Sequence, residues 1–162
     1  MQPTPLPLQN QNVIKGRPPR LDRIIPDPPL FFVTFCTRDR KNIGLLSEVH
    51  AAFERYAGRA FTEFNVAVGR YVIMPDHIHL FVQGGPEFIL SPWVGGLKRA
   101  LSICAKLPGR LWQPGFFDHV LRSEESYAQK WEYVLENPVR AGLVANAKDW
   151  PYQGEVVIID RV

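Results

Sequence analysis

Tyr71-Val72-Ile73-Met74-Pro75-Asp76-His77-Ile78-His79-Leu80-Phe81-Val82 reads as two β-rich runs folded back on each other, and it sets the class of fold. Pro75 presets its own φ and Asp76 bonds to nearby backbone, so the pair makes a turn between residues 65–74 and 77–83. An antiparallel hairpin follows. Strand alternation puts His77 and His79 on one face with Cα atoms about 7 Å apart. One metal ion can bridge that span, and neutral imidazole is the commonest side-chain ligand for divalent metals. Two polar residues on a half-buried strand face are the other reading of the same spacing.

Working outward, Leu30-Phe31-Phe32-Val33-Thr34-Phe35-Cys36-Thr37 is an apolar run of central-strand type. A helix is expected from Ser47, as N-cap, through Ala51, Ala52, Phe53 and Tyr56 to Phe61. Ser91-Pro92 suits the N-cap and first position of a second helix, whose apolar Val94, Leu97, Leu101 and Cys104 recur at helical spacing before Pro108-Gly109. A short strand over 117–121 leads to a third helix from Ser123, with Glu124 and Glu125 where the helix dipole favours acids and Pro138 as its limit. The order β, α, β, β, α, β plus a final α predicts an α+β, ferredoxin-like βαββαβ sandwich with an additional C-terminal helix. Such a fold hosts many functions, so the chemistry must be argued from residues.

The 162 residues suffice for one domain, expected over 30–153, with a proline-rich, basic and flexible arm at 1–29 and a tail at 154–162. No run of about 18 apolar residues is present to span a bilayer, and the first residues lack the pattern of a secretory signal. Cys36 and Cys104 make neither a metal nor a disulfide spacing, which reads as a reduced, cytoplasmic protein. A net charge of +3 is too mild to demand a polyanion, but its distribution says more. Lys98, Arg99, Lys106, Arg110 and Arg122 face only Asp118 between residues 98 and 122, with Trp112, Phe116 and Phe117 interleaved. Cations for phosphates and rings for stacking suit single-stranded or hairpin nucleic acid; a solvated surface over core aromatics is the competing account.

Projected at about 100° per residue, the third helix gathers Tyr127, Ala128, Trp131, Val134 and Leu135 in one sector facing the sheet. Tyr133 falls outside it, beside Ser126, Gln129, Lys130 and Asn137, and is free to do chemistry or to be a surface ring. Asn137 sits one turn further on and either joins whatever Tyr133 approaches or ends the helix before Pro138.

Tyr71 to Leu80 with its His77-Ile78-His79, followed by Tyr133-Val134-Leu135-Glu136-Asn137-Pro138-Val139-Arg140-Ala141-Gly142-Leu143-Val144, resembles the single-tyrosine HUH transposases, in particular the REP-associated tyrosine transposases. Phe32-Val33-Thr34-Phe35 with Arg38 and Arg40, Leu111-Trp112-Gln113, Asp118-His119, Arg122 and Asp149-Trp150-Pro151-Tyr152 extend the resemblance over roughly residues 22–152. Gln153-Gly154 departs from the serines usual after the Trp-Pro-Tyr motif.

The resemblance implies a metal-dependent enzyme that cleaves and transfers single-stranded DNA at hairpins. It implies that His77 and His79, with Asn137 as third ligand, hold Mg²⁺ or Mn²⁺, and that Tyr133 is the nucleophile forming a 5′-phosphotyrosine. Lys130 is placed to help hold the phenolate. Arg17, Arg20, Arg23, Arg38, Arg40, Lys98 and Arg99 are candidate DNA contacts, in a monomer or homodimer with no membrane partner. A hairpin-binding regulator that no longer cleaves is the second reading. A small H-x-H metal hydrolase, which leaves Tyr133 and Asn137 unexplained, is the third.

Overall fold

The structure, a computed structural model, describes residues 28–107, 110–122 and 125–160. In chain order its elements are β1 (Leu30–Cys36), α1 (Leu46–Phe64), β2 (Ala67–Ile73), β3 (His77–Gln83), α2 (Leu90–Cys104), β4 (Phe117–Leu121), α3 (Tyr127–Leu135), a one-turn α4 (Asn137–Arg140) and β5 (Gln153–Glu155). The strands form one sheet in the order β4-β1-β3-β2-β5, every pair antiparallel. This is the expected α+β sandwich, with a fifth strand added at the β2 edge.

Alternation along the central strands divides the molecule. Val33, Phe35, Ile78, Leu80 and Val82 point to one face, where α1 buries Val49, Phe53 and Ala57 and α2 buries Val94, Leu97 and Leu101. The two helices come close because Gly96 carries no side chain: a Cβ there would lie 2.5 Å from the Tyr56 hydroxyl. The other face carries Leu30, Val72, Met74 and Phe81, covered by Tyr127, Trp131 and Val134 of α3 together with Trp150 and Ile159. His77 and His79 alternate onto this second face.

One irregularity fixes α3 to the sheet. The β2–β3 register shifts between Val68 and Tyr71, so Gly69 and Arg70 have no partner in that ladder. The Arg70 amide donates instead to the Tyr127 hydroxyl at 2.9 Å. Gly69 makes room for it, since a Cβ would collide with that hydroxyl and crowd Ile159. The Arg70 guanidinium then lies 5.0 Å from the centre of the Tyr127 ring. A bulge thus supplies the donor that docks the tyrosine-bearing helix.

Several boundaries differ from the sequence reading. α1 starts at Leu46 with no side-chain cap, rather than after Ser47, and runs on to Phe64, where Asn65 closes it in the left-handed conformation. α2 begins at Leu90, which puts Ser91 inside the helix. α3 begins at Tyr127 rather than Ser123, because Ser126 caps it by accepting from the Gln129 amide at 3.2 Å. Glu125, expected in its first turn, accepts from the Arg122 amide at 2.7 Å and pairs with His119 at 3.0 Å. Ala128, expected on the sheet-facing sector, is exposed. Positions 123 and 124 lie outside the described residues, as do Arg17, Arg20 and Arg23 of the arm.

Residues expected as a tail after 153 are sewn to the sheet: Val156 and Val157 donate to the Gly69 and Val68 carbonyls at 3.1 and 2.9 Å. Ile159 is buried beside Tyr127. Among the described residues no helix is long and apolar enough to cross a membrane.

Candidate active site

His77 and His79 enter from β3, the strand flanked by β1 and β2. Their rings stand nearly perpendicular, with centroids 4.7 Å apart. Each has its Nδ1 engaged. Thr34 sits opposite His79 in the β1–β3 register, and its hydroxyl lies 2.7 Å from His79 Nδ1. His77 Nδ1 lies 2.8 Å from Asp76 Oδ1. Burial pushes the Asp76 carboxyl up, but hydrogen bonds from His77 and Arg40 outweigh it and hold the group below the usual carboxylate range. An ionised carboxylate only accepts, so His77 Nδ1 carries the proton. Arg40, bonded to Asp76 Oδ2 at 3.0 Å, is a charge neighbour of that ring nitrogen at 3.4 Å rather than a donor to it. With Nδ1 engaged, Nε2 is the nitrogen left to act as a ligand, the arrangement in which metal-binding histidines are commonly held.

His79 is pushed down to about 3, first by burial and then by its neighbours His77, Arg140, Arg40 and Lys130. Its imidazole is therefore neutral near pH 7, the form that binds metal. Phe32 stacks on it, 5.4 Å between ring centres and 16° from parallel.

The second half of the site comes from α3 and α4. Phe32, His79, Lys130, Tyr133, Asn137 and Arg140 line one cavity of about 220 Å³. A histidine from the sheet and a tyrosine some fifty positions later in the chain thus share one space within one chain. Tyr133 is 60% exposed, far from the burial a core ring would have. Asn137 does not continue α3. It opens α4, with Pro138 next in that turn, and still reaches the cavity. Lys130 lies 5.1 Å over the Phe32 ring.

Arg140 holds this half together, and the sequence reading gave it no role. Its guanidinium lies 4.2 Å from the centre of the Tyr133 ring, donates to the Tyr133 carbonyl at 2.7 Å and donates to Asn137 Oδ1 at 2.9 Å. Its spacing of seven from Tyr133 and three from Asn137, two turns and one turn of helix, was a usable signal. Thr34 and Asp76 were missed as partners because their role depends on cross-strand register and turn geometry.

The donor set fits a divalent ion: two imidazoles with Nδ1 engaged, and an amide oxygen whose second lone pair survives the Arg140 bond. Among the described residues no group of three His, Cys, Asp or Glu side chains could hold a metal by itself.

The remaining candidate contacts lie elsewhere. Arg38, Lys98 and Arg99 line a second cavity of about 490 Å³, beside Trp112. Lys98 is committed to the structure: its ammonium donates to the Gln113 and Gly115 carbonyls at 3.0 and 2.5 Å. Trp112 is buried edge-on against Phe35, whereas Phe117 is exposed.

The family model described as "Transposase IS200 like" matches residues 31–136, which include both histidines and Tyr133. The chain belongs to the IS200-like transposase family. It is 27% identical over 128 residues to the REP-associated tyrosine transposase of Escherichia coli K12, covering 75% of this chain and 73% of that one. It is 28% identical over 141 residues to a putative REP-associated tyrosine transposase of Haemophilus influenzae, covering 76% and 77%. Among solved structures, the REP-associated tyrosine transposase bound to a REP hairpin superposes with a TM-score of 0.66 at 20% identity, covering 83% of this chain and 90% of that one. That likeness bears out the fold, and the family match bears out the resemblance read from the motifs. For an IS200-like transposase, the residues gathered around the small cavity are the natural place to look for chemistry.

Proposed function

We propose that this IS200-like transposase cleaves and transfers single-stranded DNA at hairpins through a covalent bond to Tyr133. The observation that carries the reading is the cavity shared by His79, Tyr133 and Asn137. The likeness to a transposase bound to a REP hairpin supports hairpin DNA as the substrate class.

His77 and His79, through Nε2, and Asn137, through Oδ1, would hold Mg²⁺ or Mn²⁺. Such an ion polarises a nonbridging phosphate oxygen and stabilises the charge added at phosphorus. The rest falls to this chain's own groups. An unperturbed phenol, with a pKa of about 10, is a weak nucleophile at neutral pH. Arg140 over the Tyr133 ring and Lys130 on the same cavity wall provide positive charge where a phenolate would develop. The Tyr133 oxygen forms a bond to phosphorus as the bond to the 3′-oxygen breaks; the phenolic proton is lost and the departing oxygen gains one. The products are a 5′-phosphotyrosine and a free 3′-hydroxyl. Because the phosphoester is kept on the protein, attack by another 3′-hydroxyl rejoins DNA without ATP.

Tyr133 shares the cavity with the His79 of its own chain, which favours a site complete within one subunit. Arg38, Arg40, Arg99 and Lys130 are the described candidates for DNA backbone contacts, with Arg17, Arg20 and Arg23 of the arm outside the described residues. The transposase domain is assigned to residues 30–153, with Val156, Val157 and Ile159 packed onto it.

The test is a denaturing gel after incubation with hairpin oligonucleotides and Mg²⁺ or Mn²⁺. A DNA-shifted protein band that disappears in Tyr133→Phe is expected. No band for any hairpin, or a band undiminished in Tyr133→Phe, overturns the reading.

A further inference from the structure

Arg40 stands on backbone that an arginine adopts at a cost. Residues Arg38–Arg40 form a 3-10 turn after β1, in which Asp39 and Arg40 both take positive φ, 56° and 53°. Aspartate tolerates the left-handed region because its short polar side chain can bond locally; arginine has no such compensation. What Arg40 returns in stability is small. Its guanidinium meets Asp76 Oδ2 at 3.0 Å with the arginine side chain 56% exposed, and an ion pair so open to water contributes little. A left-handed residue other than glycine costs more than such a pair returns, and residues of that kind persist where the surroundings force them and gather at functional sites.

The surroundings do force it. The Thr37 amide donates to the Asp76 carbonyl at 2.9 Å, the Arg38 amide to the Leu111 carbonyl at 2.9 Å and the Ile43 amide to the Pro75 carbonyl at 2.6 Å. Thr37, fully buried, adds a hydroxyl bond to the Lys41 carbonyl at 2.7 Å. Residues 37–43 are thereby closed around the Pro75-Asp76 turn, and Asp76 is held at both ends by them: its carbonyl by Thr37, its carboxylate by Arg40. The two carboxylate oxygens have different partners. Oδ1 accepts from His77 Nδ1 at 2.8 Å, and Oδ2 accepts from Arg40 Nε at 3.0 Å. The terminal torsion of an aspartate is broad, so a carboxylate bonded through Oδ1 alone could turn and let the imidazole turn with it. The second bond, through Oδ2, fixes its plane.

We infer that Arg40 is a positioning residue for the histidine pair, acting through Asp76 to hold His77 in the orientation that binds metal. The inference rests on the reading of His77 as a metal ligand, and it takes Arg40 out of the candidate DNA contacts. Arg38 and Arg99, which line the larger cavity, keep that candidacy. The sign of the effect separates position from charge. A guanidinium 3.4 Å from His77 Nδ1 repels a cation on the same ring, so by charge alone its removal strengthens metal binding. By position, its removal weakens metal binding.

The experiment titrates Mn²⁺ into the metal-free full chain by calorimetry, for the wild type, Arg40→Gly, Asp76→Asn and the double variant. Glycine accepts positive φ, so Arg40→Gly removes the guanidinium while easing the backbone, and thermal melting verifies its fold. Arg40→Gly is expected to bind Mn²⁺ about tenfold more weakly than the wild type. In the Asp76→Asn background the same substitution is expected to change the affinity by less than about twofold, because the carboxylate it acts through is gone. An affinity of Arg40→Gly equal to or above that of the wild type overturns the inference, and so does the same loss in both backgrounds. A phosphate contact is the rival role: it leaves Mn²⁺ binding unchanged and lowers the salt slope of hairpin binding by about one, which also overturns the inference. Should Arg40→Gly misfold, Arg40→Asn, which tolerates positive φ and has no guanidinium, replaces it with the same outcomes. A wild type that binds Mn²⁺ no more tightly than Arg40→Gly sinks this inference alone, whereas a wild type that binds no Mn²⁺ sinks the metal reading and this inference with it.

Discussion

Acidifying the protein without metal should destabilise it through His79 well before its carboxylates protonate. The imidazole is held neutral by burial and by the positive charges around it, and takes its proton only near about 3. In the unfolded chain the same group protonates at about 6.5. Below that value the unfolded state binds a proton the folded state refuses, so stability is complete above about pH 6.5 and falls steadily toward pH 3. Integrating between those limits, the drop from pH 7 to pH 5 is about 2 kcal/mol from this residue alone. For a chain of this length that is about 4–8 °C in melting temperature. Urea unfolding in EDTA at the two pH values measures it. His79→Gln, which can keep a hydrogen bond to Thr34 but cannot titrate, should lose about 2 kcal/mol less than the wild type over the same interval. Equal losses in the two proteins would refute the claim that the strand face holds a neutral imidazole, and with it the argument that the site is kept ready for metal.

Three further outcomes are expected. Asp76→Asn removes the carboxylate that orients His77, and should weaken Mn²⁺ binding about 10- to 100-fold by calorimetry. Tyr127→Phe leaves the bulged Arg70 amide without its acceptor and should cost about 1–3 kcal/mol in urea unfolding. Arg140→Gln keeps a donor but removes the charge over Tyr133, and should slow adduct formation on hairpin DNA about 100-fold while hairpin affinity falls far less.

The four-strand framework was legible because β1 and β3 are apolar or alternating runs, β2 closes on Tyr71-Val72-Ile73, and Pro75-Asp76 marks the hairpin between β2 and β3. β5 was not, since Gln153-Gly154-Glu155 has neither periodicity nor apolar bias and is a strand only because β2 offers it an edge. The start of α3 was misplaced because Ser123 and Ser126 are equally good caps on paper. The choice is made by Glu125, which turns back to the Arg122 amide and His119 and so cannot sit in a first helical turn. At the site, strand alternation located the histidines and departure from the apolar stripe located Tyr133. Thr34 was invisible as a histidine partner because nothing local sets the β1–β3 register that puts it opposite His79.

The two halves of the site are built to different standards, and the difference follows from where each is attached. The histidines belong to a strand bonded on both sides, with each Nδ1 tied down by Thr34 or Asp76, so their positions are fixed by the sheet. Tyr133 belongs to a nine-residue helix whose hold on that sheet is Tyr127 at the bulge, with Trp131 and Val134 along its underside. Its own ring contributes nothing to that hold, being 60% exposed and backed by Arg140. On the function proposed above, a nucleophile that must first admit a DNA strand, then stay bonded to it, then give it up is better mounted on the half with fewer ties to the sheet. Substitutions under α3 should therefore disturb the placing of the tyrosine before they disturb the histidines, and the Arg70–Tyr127 bond is where the two halves meet.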